Sequence, residues 1–218
     1  MKFEEFNDLI LHKGPVEKLK IPKGARVLDI GCGDGTLVNK LRGEGIDAVG
    51  IDYEPWEKNE NIIRADAHFL PFKTETFDYV VSFLVIGHVK DEMKVMEEVS
   101  RVTRPDGKLM LAHIADSILN IRVRVWKGVG IPLQHYGIYK LYTFKEAERV
   151  VKKTGFKPVH IYSTNFAPPF LNIIPPELRN SFYSFLYKTD SRISKYFKKS
   201  GKNVVIIASK TASKKMSL

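Results

Sequence analysis

The chain is poor in the features that mark several large classes of protein. It has a single cysteine, Cys32, so no disulfide can form within it and nothing points to a stapled secreted scaffold. No apolar run approaches the length of a membrane helix, and the opening Met1-Lys-Phe-Glu-Glu-Phe lacks a signal-peptide pattern. The expected location is the cytoplasm. No internal repeat appears, and no residue set suggests a metal site. No lysine follows the glycine-rich turn Gly31-Cys-Gly-Asp-Gly35, which excludes a phosphate-cradling P-loop.

What is present is enough apolar residue, 44% of 218, for one substantial core and too short a chain for two full domains. A single domain over residues 1–218 is therefore expected. The net charge of +10 is uneven. Residues 181–218 carry nine Lys and Arg against Asp190 alone, which supplies eight of the ten net charges. A solvated basic face with a frayed Lys-rich tail is the plainer reading. A surface for nucleic acid or anionic lipid is the sharper one, but no nucleic-acid-binding motif accompanies the charge.

The most informative stretch is Val27-Leu-Asp-Ile-Gly-Cys-Gly-Asp-Gly-Thr36. An apolar run ending in three alternate glycines, followed by a helical pattern from Thr36, reads as a buried strand, a tight turn and a helix start. Such a junction is a nucleotide-type site at the carboxyl end of a parallel strand. The dinucleotide fingerprint needs its third glycine at position 36; here it comes one residue early, at Gly35. Asp29 and Asp34 flank the turn, and a pyrophosphate would meet like charge there. A ligand with a cationic head and no phosphate, such as S-adenosylmethionine, gains from the same carboxylates. About twenty residues on, Asp52 ends a second strand, where a carboxylate can accept from both ribose hydroxyls.

These residues resemble the first two motifs of class I S-adenosylmethionine-dependent methyltransferases, and further matches follow in order. Arg64-Ala-Asp-Ala-His-Phe-Leu-Pro-Phe72 resembles the adenine-contacting segment, and Phe77-Asp-Tyr-Val-Val-Ser82 the fourth strand. Ile86-Gly-His-Val89 is similar to the segment after it. Glu98-Val-Ser-Arg-Val-Thr-Arg-Pro-Asp-Gly-Lys-Leu109 resembles the helix and turn into strand five. The likeness spans about Arg26 to Ile114, and its closest flavour is the quinone-biosynthesis and small-molecule type. It implies an α/β, Rossmann-like, doubly wound sheet of seven mostly parallel strands in the order 3-2-1-4-5-7-6, the last antiparallel. It also implies S-adenosylmethionine as methyl donor, with S-adenosylhomocysteine as product. The residues implied for donor binding are Asp29, Gly31, Cys32, Gly33, Asp52, Tyr53, Asp66, Ala67 and Phe83. Asp66 would accept from the adenine amino group, with Ala67 leaving room for the ring. Tyr53 reads equally as an adenine cover or a half-buried surface aromatic, and Cys32 reads better as a small packing group than as a nucleophile.

Residues 1–20 carry a loose helical pattern broken by Gly14-Pro15, and the donor-binding core is expected over 21–114. Helices are expected over 36–42 and 91–103, with Arg104-Pro-Asp-Gly107 as a turn before strand five at 108–114. A lid-like insertion covers 115–142, where Pro132 to Tyr142 is rich in aromatics. Thr143-Phe-Lys-Glu146 has capping-box spacing and opens a helix to Lys153, with strand six ending at Tyr162. A second cap insertion covers 163–202, a last strand 203–210 and a loose tail 211–218.

Methyl transfer from a sulfonium is an in-line displacement that depends on positioning. A general base is needed only if the acceptor must lose a proton. His113, near the end of strand five, and His135, in the lid, are the candidate catalytic residues; His88 reads as structural. Tyr136, Tyr139 and Tyr142 either line an acceptor pocket or pack on the sheet edge. No Asn-Pro-Pro-Tyr or Asp-Pro-Pro-Tyr motif follows strand four, where Ser82-Phe-Leu-Val85 stands, so exocyclic base amines are disfavoured as acceptors. The expected acceptor is a small molecule methylated at oxygen or carbon. RNA, through the basic C-terminal segment, is the alternative, and a binding-only protein is a third.

Overall fold

The computed structural model describes residues 14–55, 60–116, 138–164 and 203–211, with isolated positions 175, 178 and 185. Seven strands form one sheet: β1 (Arg26–Ile30), β2 (Asp47–Asp52), β3 (Ile62–Arg64), β4 (Phe77–Phe83), β5 (Thr103–Ile114), β6 (Phe156–Thr164) and β7 (Asn203–Lys210). Their order is β3-β2-β1-β4-β5-β7-β6. Pairing is parallel from β3 through β5, whereas β7 runs antiparallel to both β5 and β6. The sheet order and the reversed last strand are those implied by the resemblance.

Helices cover both faces. Along β5, Leu109 and Leu111 join one apolar cluster while Met110 and Ala112 join the other. The first cluster is closed by α3 (Glu92–Val102) and α4 (Phe144–Lys153), through Val95, Met96, Val99, Ala147, Val150 and Val151. The second is closed by α1 (Gly14–Leu19) and α2 (Thr36–Gly43), through Val16, Leu19, Leu37, Val38 and Leu41. A sheet buried on both sides accounts for the near-continuous apolar runs of β1 and β4.

Helix starts follow side-chain chemistry. The Asp91 carboxylate accepts from Lys94 N at 3.0 Å, capping α3. Thr143 and Glu146 form the capping box read from their spacing: Thr143 N donates to Glu146 Oε2 at 2.9 Å, and Glu146 N donates to Thr143 Oγ1 at 3.3 Å.

Gly14-Pro15, the expected break in the N-terminal helical pattern, begins α1, where proline's fixed φ and missing N–H suit a first helical turn. Two boundaries differ from the sequence reading. Arg104–Gly107, read as a turn ahead of strand five, lies within β5 as an irregularity. Phe77 pairs Thr103, the next partners are Tyr79 and Lys108, and Asp106 adopts φ 60°. β6 runs on through Thr164. Most of the two expected insertions, including His135 and Tyr136, and of the N-terminal segment lie outside the described residues.

Candidate donor site at the carboxyl ends of the strands

The glycine turn is tied to the neighbouring strand by its own backbone. Gly31 N and Cys32 N both donate to Ile51 O, at 2.8 and 3.0 Å, and Gly35 N returns to Cys32 O at 2.8 Å. Gly31, Gly33 and Gly35 all have positive φ, at 74°, 54° and 77°, a region that side chains with a Cβ avoid. Gly31 has a second constraint. A Cβ there would lie 2.2 Å from Cγ2 of Val85, so the loop after β4 rests directly on the turn.

Carboxylates converge on this turn. Asp52, at the tip of β2, accepts from Gly33 N through Oδ2 and from Glu54 N through Oδ1, each at 2.9 Å. An ionised carboxylate has about four lone-pair sites, so both oxygens keep acceptor capacity for a ligand. Asp34 turns toward α2 instead, accepting from Thr36 N at 2.9 Å and Thr36 Oγ1 at 2.8 Å. Asp29 lies on β1 opposite Gly50 of β2 and is 3% exposed. Burial, then the Asp52 and Asp34 carboxylates, push its pKa up to about 7. A buried acid beside other acids is costly, and a cationic ligand would relieve that cost.

Cys32 is buried, and its Sγ occupies the space above Gly50, where a Cβ would come within 2.5 Å of it. Burial, then Asp29 and Asp52, push its pKa up to about 12. The thiol stays protonated, which supports the packing role over a nucleophile.

Beyond β3, Asp66 Oδ1 accepts from His68 N at 2.9 Å and lies 2.6 Å from His68 Nδ1. The His68 backbone N–H, more than any other cause, holds the Asp66 carboxyl below the usual range. His68 was not singled out from the sequence, although the Asp-x-His spacing was visible. The segment from Ala67 to Phe72 is fastened to α3 by a second group of residues unrecognised from sequence. Glu98 Oε2 accepts from Leu70 N at 2.8 Å. Arg101 donates to Phe72 O at 2.7 Å and Leu70 O at 3.0 Å while gripping both Glu98 oxygens at 2.7 Å.

The other candidates divide. Tyr53 is 67% exposed beside Asp52, and Phe83 is buried in the cluster under α1 and α2. His88 is exposed, and its backbone N donates to Val85 O at 2.7 Å, closing the loop after β4. His113 is buried at the end of β5, and burial lowers its pKa to about 4. The structure thus gathers Asp29, Gly31, Cys32, Gly33 and Asp52 at the ends of β1 and β2, with Asp66 and Ala67 after adjacent β3. His113 stands apart, two strands from β1.

The chain as a whole matches known proteins. A family model described as a methyltransferase domain matches residues 4–161. The chain belongs to the class I S-adenosylmethionine-dependent methyltransferases. An uncharacterised protein of Methanocaldococcus jannaschii is 26% identical over 208 residues, 94% of this chain and 84% of its own length. A second from the same organism is 30% identical over 194 residues, covering 77% and 76%. Among solved structures, one chain from the complex of the Haloferax volcanii Trm112 methyltransferase activator with a methyltransferase superposes with TM-score 0.69 at 17% identity, covering 96% of this chain and 93% of that one. Haemonchus contortus phosphoethanolamine N-methyltransferase 2, in complex with phosphomonomethylethanolamine and S-adenosylhomocysteine, gives TM-score 0.62 at 21% identity, covering 95% and 57%. At these identities the methyltransferases share the fold. The family's donor is S-adenosylmethionine, and the cradle here suits it: a side-chain-free turn at Gly31 and a buried acid at Asp29. No helix among the described residues is long and apolar enough to cross a membrane.

Proposed function

We propose that this methyltransferase acts on a small-molecule acceptor at oxygen or carbon. Asp29 and the Gly31–Gly33 backbone take the charged methionine arm of the donor, with Cys32 packed beneath. Asp52 takes the ribose hydroxyls, Asp66 the adenine amino group, and Ala67 leaves space for the ring. Tyr53 is free to cover the adenine from the solvent side, and Phe83 backs the site from the core. The donor supplies a methyl group on a sulfonium. The chain's task is to orient the partners and keep water out, since displacement at that carbon is governed by alignment. The carrying observation is the Asp29 carboxyl, buried, raised to about 7 and flanked by acids; such a site favours a cation and repels a phosphate.

A second reading, RNA as acceptor, draws on the basic C-terminal sequence and on the outer face of α4. There Lys145, Arg149, Lys152 and Lys153 border an open surface hollow with Glu148. Glu148 and Lys152 pair at 2.6 Å, which lowers the net charge offered to a polyanion. Incubation with labelled donor and fractionated cell extract separates the readings. Label in small metabolites supports the first. Label in RNA, with affinity falling steeply as salt rises, supports the second.

A further inference from the structure

Two buried polar atoms at the carboxyl end of β5 have no hydrogen-bond partner in geometric reach among the described residues: Nε2 of His113 and the hydroxyl of Tyr142. Both residues are 1% exposed, and their rings meet edge-on with centroids 5.2 Å apart. The roles of the two atoms can be assigned. His113 Nδ1 lies 3.2 Å from the Ile114 carbonyl oxygen, which can only accept, so Nδ1 carries the proton and Nε2 presents a bare lone pair. Burial holds the ring neutral, with its pKa near 4. Burial, and next the Glu92 carboxylate, push the Tyr142 hydroxyl up, so it stays protonated. Glu92, whose carboxylate is near enough to raise the tyrosine by charge and by hydrogen bonding, is itself held by Lys140 at 2.5 Å. A buried polar group left unpaired costs about 1–3 kcal/mol, and two side by side call for a common explanation.

Their position suggests one. Phe83, the last residue of β4, pairs with Ala112, so His113 stands one step further along, beside the loop after β4. That loop touches the glycine turn through Val85. On its other side Gly87 O accepts from Tyr139 N at 2.8 Å and Lys140 N at 3.2 Å. The pair therefore lies at the carboxyl end of β5, across β4 from the ends of β1 and β2.

We infer that His113 and Tyr142 form the recognition site for the acceptor's reacting group, and that this group is a neutral phenolic or enolic hydroxyl. A hydroxyl is a small group that donates to Nε2 and accepts from the tyrosine together. An ammonium would find two neutral partners, with the Glu92 carboxylate beyond them already paired to Lys140, and a carbon acceptor would leave Nε2 unpaired. As the new oxygen–methyl bond forms, the sulfur–methyl bond breaks and its electron pair stays on sulfur, which becomes a neutral thioether. The O–H proton passes to His113 Nε2, giving an imidazolium that later loses it to water, so the single positive charge is conserved. The weak basicity of a buried imidazole suits a hydroxyl whose acidity rises steeply as the methyl arrives, and suits phenols and enols better than alkyl alcohols.

This rests on the methyltransferase reading, and one experiment separates the two. The full chain, carrying isotope-labelled histidine and saturated with S-adenosylhomocysteine, is titrated near neutral pH with phenol and catechol, then with anisole and aniline. The nitrogen resonance of His113 Nε2 is followed. Phenol and catechol are expected to move it toward the hydrogen-bonded range, and anisole and aniline to leave it in place. Tyr142→Phe is expected to weaken the catechol response several-fold while S-adenosylhomocysteine affinity and melting temperature hold or rise, because it removes an unpaired hydroxyl. His113→Asn, which keeps a donor for Ile114 O but lacks Nε2, is expected to abolish catechol binding to the S-adenosylhomocysteine complex, read by calorimetry. Three results would overturn the inference while leaving the donor reading intact: S-adenosylhomocysteine binding with no response to either hydroxyl compound, an equal response to anisole or aniline, or a lowered melting temperature in Tyr142→Phe. Failure of S-adenosylhomocysteine to bind would instead sink the donor reading.

Discussion

The ends of β1 and β2 and the end of β5 treat polar groups in opposite ways. At the first, Asp52 and Asp34 are occupied by backbone N–H groups, Asp52 by Gly33 and Glu54 and Asp34 by Thr36. The turn is held before any ligand arrives, and the single destabilised group, Asp29, is the one that a cation would relieve. At the second, His113 Nε2 and the Tyr142 hydroxyl are buried without geometric hydrogen-bond partners among the described residues. One end is preorganised for a shared ligand. The other leaves open what distinguishes one acceptor from another.

The largest effect expected from breaking this contrast is at Gly31. In Gly31→Ala the new Cβ would meet Val85 at 2.2 Å with φ at 74°. A left-handed residue with a Cβ costs about 1–2 kcal/mol and overpacking about 1–3 kcal/mol. Donor binding by calorimetry should be lost and the melting temperature lowered, with Val85→Ala restoring part of both by removing the clash. Next comes Asp52→Ala, which strips acceptors from Gly33 N and Glu54 N as well as from the ribose. Charge-assisted hydrogen bonds contribute about 1.5–3 kcal/mol each, so donor affinity should fall at least tenfold; unchanged affinity would remove Asp52 from the site.

Arg101→Ala should follow. It frees the carbonyls of Leu70 and Phe72, so amide exchange should rise across residues 66–72 and donor affinity should weaken more than affinity for the methionine portion alone. A fall in stability without any change in exchange there would detach the network from the adenine segment.

A smaller effect concerns pH. Asp29 has a folded pKa raised from 3.8 to about 7, so its protonated form favours the folded, ligand-free protein. That stability is fully present below about pH 3.8 and is lost as pH rises through about 7. Asp29→Asn should flatten this slope in thermal melts and leave the variant more stable than the parent above pH 7. Affinity for a cationic donor should rise with pH over the same range in the parent and not in the variant. A parent whose melting temperature climbs across that range would contradict the sign.

How much of this could be read from the chain depends on how local each feature is. The glycine turn, Asp52 and the Thr143–Glu146 box are short patterns whose spacing determines what their backbone can do. They were legible, and the strand order came with the resemblance they carried. Arg104-Pro-Asp-Gly107 reads as a turn because proline and glycine are turn residues, and nothing in the sequence announces that strand pairing resumes on both sides of them. The contact of Val85 with Gly31 and the grip of Arg101 on Phe72 join residues 54 and 29 positions apart, and no periodicity announces them. His113 was noted for its place at a strand end. Its partnership with Tyr142, across an intervening insertion, became visible only once Ala115 and Tyr142 were seen paired.

The most direct test of the central claim is calorimetric titration of the purified chain with S-adenosylmethionine and, separately, with NAD, above and below pH 7. Clustered acids at Asp29 and Asp52 predict that S-adenosylmethionine binds, more tightly at the higher pH, and that NAD does not compete. Binding of NAD in its place, or S-adenosylmethionine affinity that falls as Asp29 ionises, would contradict it.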